Sequence, residues 1–265
     1  ERYRDILTKL GHQNVVYECF ETSSELEIKR KKQQKRGLPP VYDREALKLS
    51  EAEKDALRNE MDGHWRFLLS GENVTWQDEI AGEINVRTSV VSDPILVKGN
   101  GQFLYTLASV IDDSDFGVTN VVRGIDHLTN TAVQIEIFRN LSAGLPVFGH
   151  HSLIVDNSGE NFSKRSGSLS IKSLKEAGIE DGAIVSKLVS LGTGDALDLK
   201  NNINELTPKF ELNKFSTAPV KFEKEVLQTI SRKLIANFSV SEIFPYLDLI
   251  RSEEHTSELQ SRQYL

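Results

Sequence analysis

The sequence predicts an α/β protein in which parallel strands alternate with helices, interrupted by an α+β module and followed by a helical one. Three observations carry that prediction. Over residues 105–158 a short β-branched run, Val118–Val122, precedes apolar residues four apart at Val133, Ile137 and Leu141, the pattern of a strand and then a helix. Residues 17–104 read instead as two capped helices and then short β-runs separated by turns. From Ser173 onward the chain becomes helical, with Leu188, Leu191, Leu206 and Leu212 in loose periodicity, and there is no internal repeat.

Taken in order, the chain opens inside an amphipathic helix, with Tyr3, Ile6, Leu7 and Leu10 on one face and no capping residue before them. Preceding sequence is therefore expected, and residues 1–16 are assigned to the end of a first α/β half. Thr22 and Glu25 make a T-x-x-E capping box opening a helix that should end near Gly37, before Pro39-Pro40. Ser50 and Glu53 repeat the spacing. "HWRFLL" and the following stretch to "FLYTL" read as strands broken by Gly-Glu, Ser-Asp-Pro and Asn-Gly turns. Val118–Val122 suits a fully buried parallel strand, and the next helix begins "HLTNT", where backbone donors either face an anion or are capped by Thr129 or Asn130. "HSLIVD" is a third strand-like run, leading into the Gly/Ser-rich loop "GENFSKRSGSLSI". Beyond Ile250 the apolar rhythm stops. Residues 251–261 match the translation of a common sequencing adapter, so 251–265 are read as an artefact tail and excluded from the fold.

Composition narrows the function. At 265 residues and 38% hydrophobic content the chain can bury one large core or two ordinary ones. A net charge of −7 argues against bulk adhesion to nucleic acid or anionic membrane, while leaving room for local basic patches. No apolar run approaches the ~20 residues of a membrane span, and the start lacks a signal-peptide layout, so a cytoplasmic protein is expected. The single cysteine, Cys19, makes neither an internal disulfide nor a cysteine-rich zinc site.

Ligands of parallel sheets bind at the carboxyl ends of strands, which singles out Arg123-Gly124-Ile125-Asp126-His127. The guanidinium can fork onto a carboxylate or phosphate, and Asp126 can accept from ribose hydroxyls; a structural Arg–Asp pair closing the strand end is the alternative. Phe162, Ser163, Lys164 and Arg165 place two adjacent cations in the Gly/Ser loop, where they can neutralise charge developing in phosphoryl or nucleotidyl transfer, or form a plain basic turn. The run Lys29, Arg30, Lys31, Lys32, Lys35 and Arg36 is either a phosphate-contacting or a solvated helix face. His150-His151 lacks a carboxylate at ligand spacing and reads as structural; Asp112, Asp113 and Asp115 read as loop and cap residues rather than a magnesium site.

"RGIDHLTNTAVQIEIF" followed by "FSKRSGSLSI" resembles the bacterial glutamyl-tRNA synthetases, a class I aminoacyl-tRNA synthetase family. "CFETSSELEIKR", "GLPPVYDR", "SDPILVKGNGQFLYTLASVIDD" and "KFSTAPVKFEKEVL" extend the resemblance in order over residues 1–250. The resemblance implies the second half of a class I Rossmann-like nucleotide-binding domain over 105–158, an inserted connective, acceptor-binding module over 17–104, and the signature loop with a helical stem-contact module over 159–250. It implies that glutamate attacks the α-phosphate of ATP, held with Mg2+ mainly by its phosphates, and that the glutamyl group then passes to the 3′ end of tRNA for glutamate or glutamine. Tyr105, Ser109 and Arg123 would recognise glutamate, with Tyr105 and Arg123 both at strand ends. Asp126, His127, Phe162, Ser163 and Lys164 would bind ATP. Lys164 and Arg165 would be catalytic, and Lys29, Arg30, Lys32 and Arg36 would meet the acceptor stem. No zinc or other metal site, DNA or membrane is expected, and the intact enzyme is expected to be a monomer.

Departures from the family pattern are Asn161 in place of the signature's first lysine and Ser109 where asparagine is frequent. The family's "HIGH" signature would lie before Glu1 and its anticodon-binding region after Ile250, so this stretch alone is expected to be inactive. Two rivals remain: a non-catalytic tRNA-binding paralogue, favoured by Asn161, and the relative that glutamylates queuosine in tRNA, which usually keeps zinc cysteines and lacks the helical continuation.

Overall fold

Local capping chemistry starts two helices of the amino-terminal half. In the structure, a computed structural model that describes residues 1–161 and 170–244, helix α1 spans Arg2–His12 and strand β1 Val16–Cys19. Thr22 accepts from the Glu25 N–H while the Glu25 carboxylate accepts from the Thr22 N–H at 2.8 Å, opening α2, Ser23–Lys35. Gly37 follows at φ +69°, a conformation glycine adopts without cost, and ends it. Ser50 and Glu53 cap α3, Glu51–Glu60, in the same way.

Two compact units make up the chain, Glu1–His151 and Ser152–Leu265. In the first, β2 (His64–Phe67) pairs antiparallel with both β1 and β5 (Ile95–Val97). A second sheet has the order β4-β3-β7-β6, from β3 (Asn73–Asp78), β4 (Gly82–Arg87), β6 (Asn120–Gly124) and β7 (Val147–His151). Here β3 and β6 both run parallel to β7, and β4 is the antiparallel partner of β3. The β3–β4 hairpin, read from the sequence as part of a separate module, thus shares a sheet with residues 120–151, because β3 offers β7 a free hydrogen-bonding edge.

Helix α4 (Tyr105–Asp115) and helix α5 (Leu128–Leu141) cover this sheet's core. Every residue of α5 from Thr131 to Phe138 is buried, and its Val133, Ile135, Ile137 and Phe138 pack with Ile6, Leu10, Leu107, Ile111 and Phe148. Such burial stabilises by about 1.5–3 kcal/mol per large apolar side chain. Its polar members are paired: Glu136 accepts from the Ser70 N–H at 2.8 Å and the Ser70 hydroxyl at 2.9 Å.

Several expectations are corrected here. Val118–Val122 is not a fully buried strand: β6 ends the sheet order with β7 as its neighbour, leaving Val118 37% and Val122 47% exposed. An apolar run does not distinguish an edge from a centre. Neither Thr129 nor Asn130 caps α5, which begins at Leu128 after His127 without a side-chain cap. The run "HSLIVD" is split between the end of β7 and β8, Ile154–Val155. Tyr105 is the first residue of α4, not a strand end. Asp112 and Asp115 lie on α4 rather than in a loop, and accept from Tyr3 and Arg2 of α1 at 2.7 Å each.

The second unit pairs β8 in parallel with β9, Val220–Lys221. Ser170 caps α6 (Ile171–Glu176), and α7 (Asp181–Ser190) packs against α9 (Lys224–Ile235), with the short α8 (Ile203–Leu206) nearby. Gly182 makes the packing close: a Cβ there would lie 2.7 Å from the Lys200 carbonyl and 2.9 Å from Leu234. Leu174, Ile179, Ile184, Phe222, Leu227, Ile230 and Leu234 form the core. No described helix is long and apolar enough to cross a membrane.

Candidate functional site

Three parallel strands end together and deliver polar side chains to one place. Asp78 is the last residue of β3, Arg123 lies next to last in β6, and His150, its register partner, lies next to last in β7. Alternation along β7 turns Phe148 and His150 to the same face, and both are buried. Arg123 is held on several sides. Its Nη2 donates to Thr131 Oγ1 at 2.5 Å and to Gln134 Oε1 at 2.6 Å, and its Nη1 donates to the Tyr105 hydroxyl at 2.9 Å. Gln134 in turn donates to Ser109 Oγ at 2.7 Å, and Ser109 donates to the Tyr105 carbonyl one turn back, also at 2.7 Å. The Phe148 ring lies 6.0 Å from the guanidinium carbon. Arg123 therefore spends its bonds on Tyr105, Thr131 and Gln134, and not on the Arg–Asp pair that sequence spacing allowed.

Among the described residues, two of the five guanidinium donors are left over, Nε–H and the second N–H of Nη1. Arg123 Nε is buried without a hydrogen-bond partner among the described residues, as is Nδ1 of His127, whose ring stands edge-on to Tyr105 at 6.3 Å. Buried donors are rarely left unpaired, so this oriented cation beside a 52% exposed phenol is equipped to take a carboxylate. Behind it, His150 Nδ1 lies 2.5 Å from Asp78 Oδ2 and His150 Nε2 lies 2.8 Å from Thr131 Oγ1. Burial pulls the His150 imidazole below its ordinary range, against the opposing pull of Asp78. Burial pushes the Asp78 carboxyl up, but hydrogen bonds from Ala81, His150 and Ile80 outweigh it and hold it below the usual carboxylate range. Asp113 of α4 is raised by burial, despite the nearby charge of Arg123.

The structure thus brings Tyr105, Ser109 and Arg123 into one network, with His127 beside it and Asp126 exposed in the short 3-10 turn Ile125–His127. Phe162, Ser163, Lys164 and Arg165, and the tail 251–265, lie outside the described residues. Of the basic face, Arg30, Lys32 and Arg36 are exposed on and just after α2. Lys29 is not free for phosphate. It is bound to Glu45 at 2.5 Å, Asp43 at 3.1 Å and Glu21 at 3.4 Å, and despite burial these partners raise its basicity. Asp78, Thr131, Gln134 and His150 were missed as site neighbours; the adjacent histidines were the one visible signal, and they were read as structural.

Cys19, Glu21 and His64 also converge, with ligand atoms within 4.8 Å of one another. Burial pushes the Cys19 thiol up to about 11 in the absence of an ion. Glu21 already meets Lys29 and, at 2.6 Å, the Tyr42 hydroxyl, and the Arg66 guanidinium lies 4.2 Å from the centre of the Tyr42 ring.

The fold is consistent with a Rossmann-like class I catalytic domain, with Asp78, Arg123 and His150 at the carboxyl ends of parallel strands. The family described as tRNA synthetases class I (E and Q), catalytic domain, matches residues 1–229, and the chain belongs to that family. Among curated relatives, glutamate–tRNA ligase 2 of Ruegeria sp. is 46% identical over 259 residues, covering 97% of this chain and 59% of its own length. Glutamate–tRNA ligase 1 of Roseobacter denitrificans is 46% identical over 244 residues, 92% of this chain and 55% of the relative. The chain therefore spans little more than half the length of these relatives. A crystal structure of a glutamate tRNA ligase from Elizabethkingia meningosepticum in complex with its amino acid superposes with a TM-score of 0.81 at 25% identity, over 96% of this chain and 56% of that one. The glutamate-tRNA synthetase structure from Elizabethkingia anophelis gives the same TM-score at 24% identity, covering 96% of this chain and 57% of that one, a likeness of fold.

Proposed function

We propose that this chain is part of a glutamate–tRNA ligase and that Arg123, with Tyr105, selects glutamate by its side-chain carboxylate. The observation that carries the reading is the guanidinium anchored by Thr131 and Gln134 with its Nη1 at the half-exposed Tyr105 hydroxyl. A site built to bond an ionised acid leaves buried donors unpaired when a neutral analogue enters, and so rejects it. Ser109 supports Arg123 through Gln134. The amino-acid complex of the Elizabethkingia meningosepticum ligase supports a substrate of this class.

In this reading Asp126 and His127 bind ATP, as do Phe162 and Ser163 of the signature loop. Lys164 and Arg165 neutralise the phosphates as glutamate displaces pyrophosphate from the α-phosphate; Mg2+ is held mainly by those phosphates. The chemistry needs positioning and charge stabilisation rather than a covalent enzyme nucleophile. Exposed Arg30, Lys32 and Arg36 meet the acceptor stem of tRNA for glutamate or glutamine. The reading also carries a cytoplasmic, monomeric enzyme without zinc.

ATP–pyrophosphate exchange on the full-length protein, with and without tRNA, tests it beside a Lys164→Ala variant. Glutamate-dependent exchange that falls about 100-fold or more in the variant supports the ligase. Absence of exchange from a folded, tRNA-binding protein overturns it in favour of a tRNA-binding paralogue, the reading that Asn161 favours.

A further inference from the structure

Asp78, Thr131 and His150 touch no substrate in the reading above, yet they are buried at 2%, 0% and 0% exposure directly behind Arg123. Their protons can be counted. Four of the five groups on Asp78 are fixed donors: Oδ1 accepts from the N–H groups of Ile80, Ala81 and His150 at 3.1, 2.9 and 2.9 Å, and Oδ2 faces Trp76 Nε1 at 3.3 Å; the fifth, His150 Nδ1, lies 2.5 Å from Oδ2. The four donors favour Asp78 as a carboxylate, and His150 then carries its proton on Nδ1. A neutral imidazole with Nδ1 protonated has a bare Nε2.

Thr131 lies between that bare nitrogen and Arg123. Its hydroxyl owns one proton and has two candidate acceptors, His150 Nε2 at 2.8 Å and, one turn back in the helix, the His127 carbonyl at 3.2 Å. Giving the proton to His127 would leave two lone pairs facing each other across 2.8 Å. Giving it to Nε2 removes that repulsion and turns the oxygen lone pairs of Thr131 towards Arg123 Nη2, 2.5 Å away. Residues from three strands and one helix thus form a directed chain, Asp78–His150–Thr131–Arg123.

We propose that Asp78, by enforcing one tautomer of His150, makes Thr131 a dedicated acceptor for Arg123 and so positions the guanidinium for a carboxylate ligand. Asp78, His150 and Thr131 are positioning residues. The identity of the ligand as glutamate rests on the function proposed above; the tautomer and its effect on Arg123 do not.

Long-range 1H–15N spectra of the 265-residue chain, with His150→Gln used for assignment among the six histidines, read the tautomer directly. The Arg123 Nε–H signal and a glutamate titration are followed in the same samples. His150 is expected as the Nδ1–H tautomer with bare Nε2. Thr131→Val should broaden the Arg123 signal and weaken glutamate about tenfold or more, and Thr131→Ser, which restores the hydroxyl, should recover both. Asp78→Asn should move the His150 proton to Nε2 with the same weakening; should that variant fail to fold, the wild-type tautomer and the Thr131 pair still decide. A wild-type His150 protonated on Nε2, or a Thr131→Val chain with unchanged Arg123 signal, overturns the proposal. Arg123 signals that respond to Thr131→Val in a chain that binds no glutamate uphold the positioning and remove glutamate as the ligand. Glutamate binding lost in Arg123→Ala but unchanged in Thr131→Val does the reverse.

Discussion

Two aspartates in the first unit are almost equally buried, Asp93 at 1% and Asp78 at 2% exposure, and their surroundings differ in one respect. Asp93 accepts from the Tyr17 hydroxyl at 2.5 Å, from Arg44 Nε and Nη2 at 2.8 Å each and from the Leu69 N–H at 3.0 Å, while Arg44 also donates to the Leu69 carbonyl. That network closes on itself. Burial, with the Asp93 bond, pushes the Tyr17 phenol far above its ordinary range, and Arg44 is held in a left-handed backbone conformation, φ +58°, that non-glycine residues rarely adopt. The Asp78 network instead runs outward and ends on a guanidinium with a donor to spare beside a half-exposed tyrosine. Burial and residue type are the same; the free end is what separates the proposed ligand site from a structural joint.

The largest effect expected from this contrast is on stability. Asp93→Ala leaves Arg44 and Tyr17 uncompensated and should cost the first unit about 3–5 kcal/mol in urea unfolding, with glutamate affinity per folded molecule unchanged. A parallel loss of affinity would break the distinction. Arg123→Ala should shift the balance towards binding, weakening glutamate by about 2–5 kcal/mol, or roughly 30-fold and more, while the unpaired Thr131 and Gln134 cost about 1–3 kcal/mol of stability, less than Asp93→Ala.

Acid should separate the networks further. His150 and His64 have folded pKa values depressed by burial from the ordinary 6.5, so as pH falls the unfolded chain takes up their protons first. Their stability contribution is fully present above pH 6.5 and declines below it, by at most about 1.4 kcal/mol per pH unit for each imidazole. Asp78, also depressed, contributes stability above its ordinary 3.8 that is lost only on further acidification through its folded value. Unfolding measured across this range should show the two stages, and His150→Gln should flatten the first. The smallest effect expected is Thr22→Ala: losing an exposed cap should cost about 1 kcal/mol at α2 and leave both networks, and their ligands, untouched.

Much of the local structure was legible because its causes are local. Thr22 with Glu25 and Ser50 with Glu53 act within three residues, and Ile6, Leu10, Val133 and Ile137 declare buried helix faces by spacing alone. Tyr105, Ser109 and Arg123 are singled out together by the family resemblance alone. Their mutual hydrogen bonds were not legible, and neither was the commitment of Lys29 to carboxylates up to 16 residues away.

The sequence by itself determined where α2 and α3 begin, which residues of α1 and α5 are buried and which arginine stands at a strand end, since these follow from propensity, capping and periodicity along the chain. Only the tertiary structure decided that β6 is an edge, that the β3–β4 hairpin joins its sheet, and that Asp78 meets His150 across 72 residues. Those outcomes depend on which strand edges pair and in what register, a long-range hydrogen-bonding choice that no local pattern encodes.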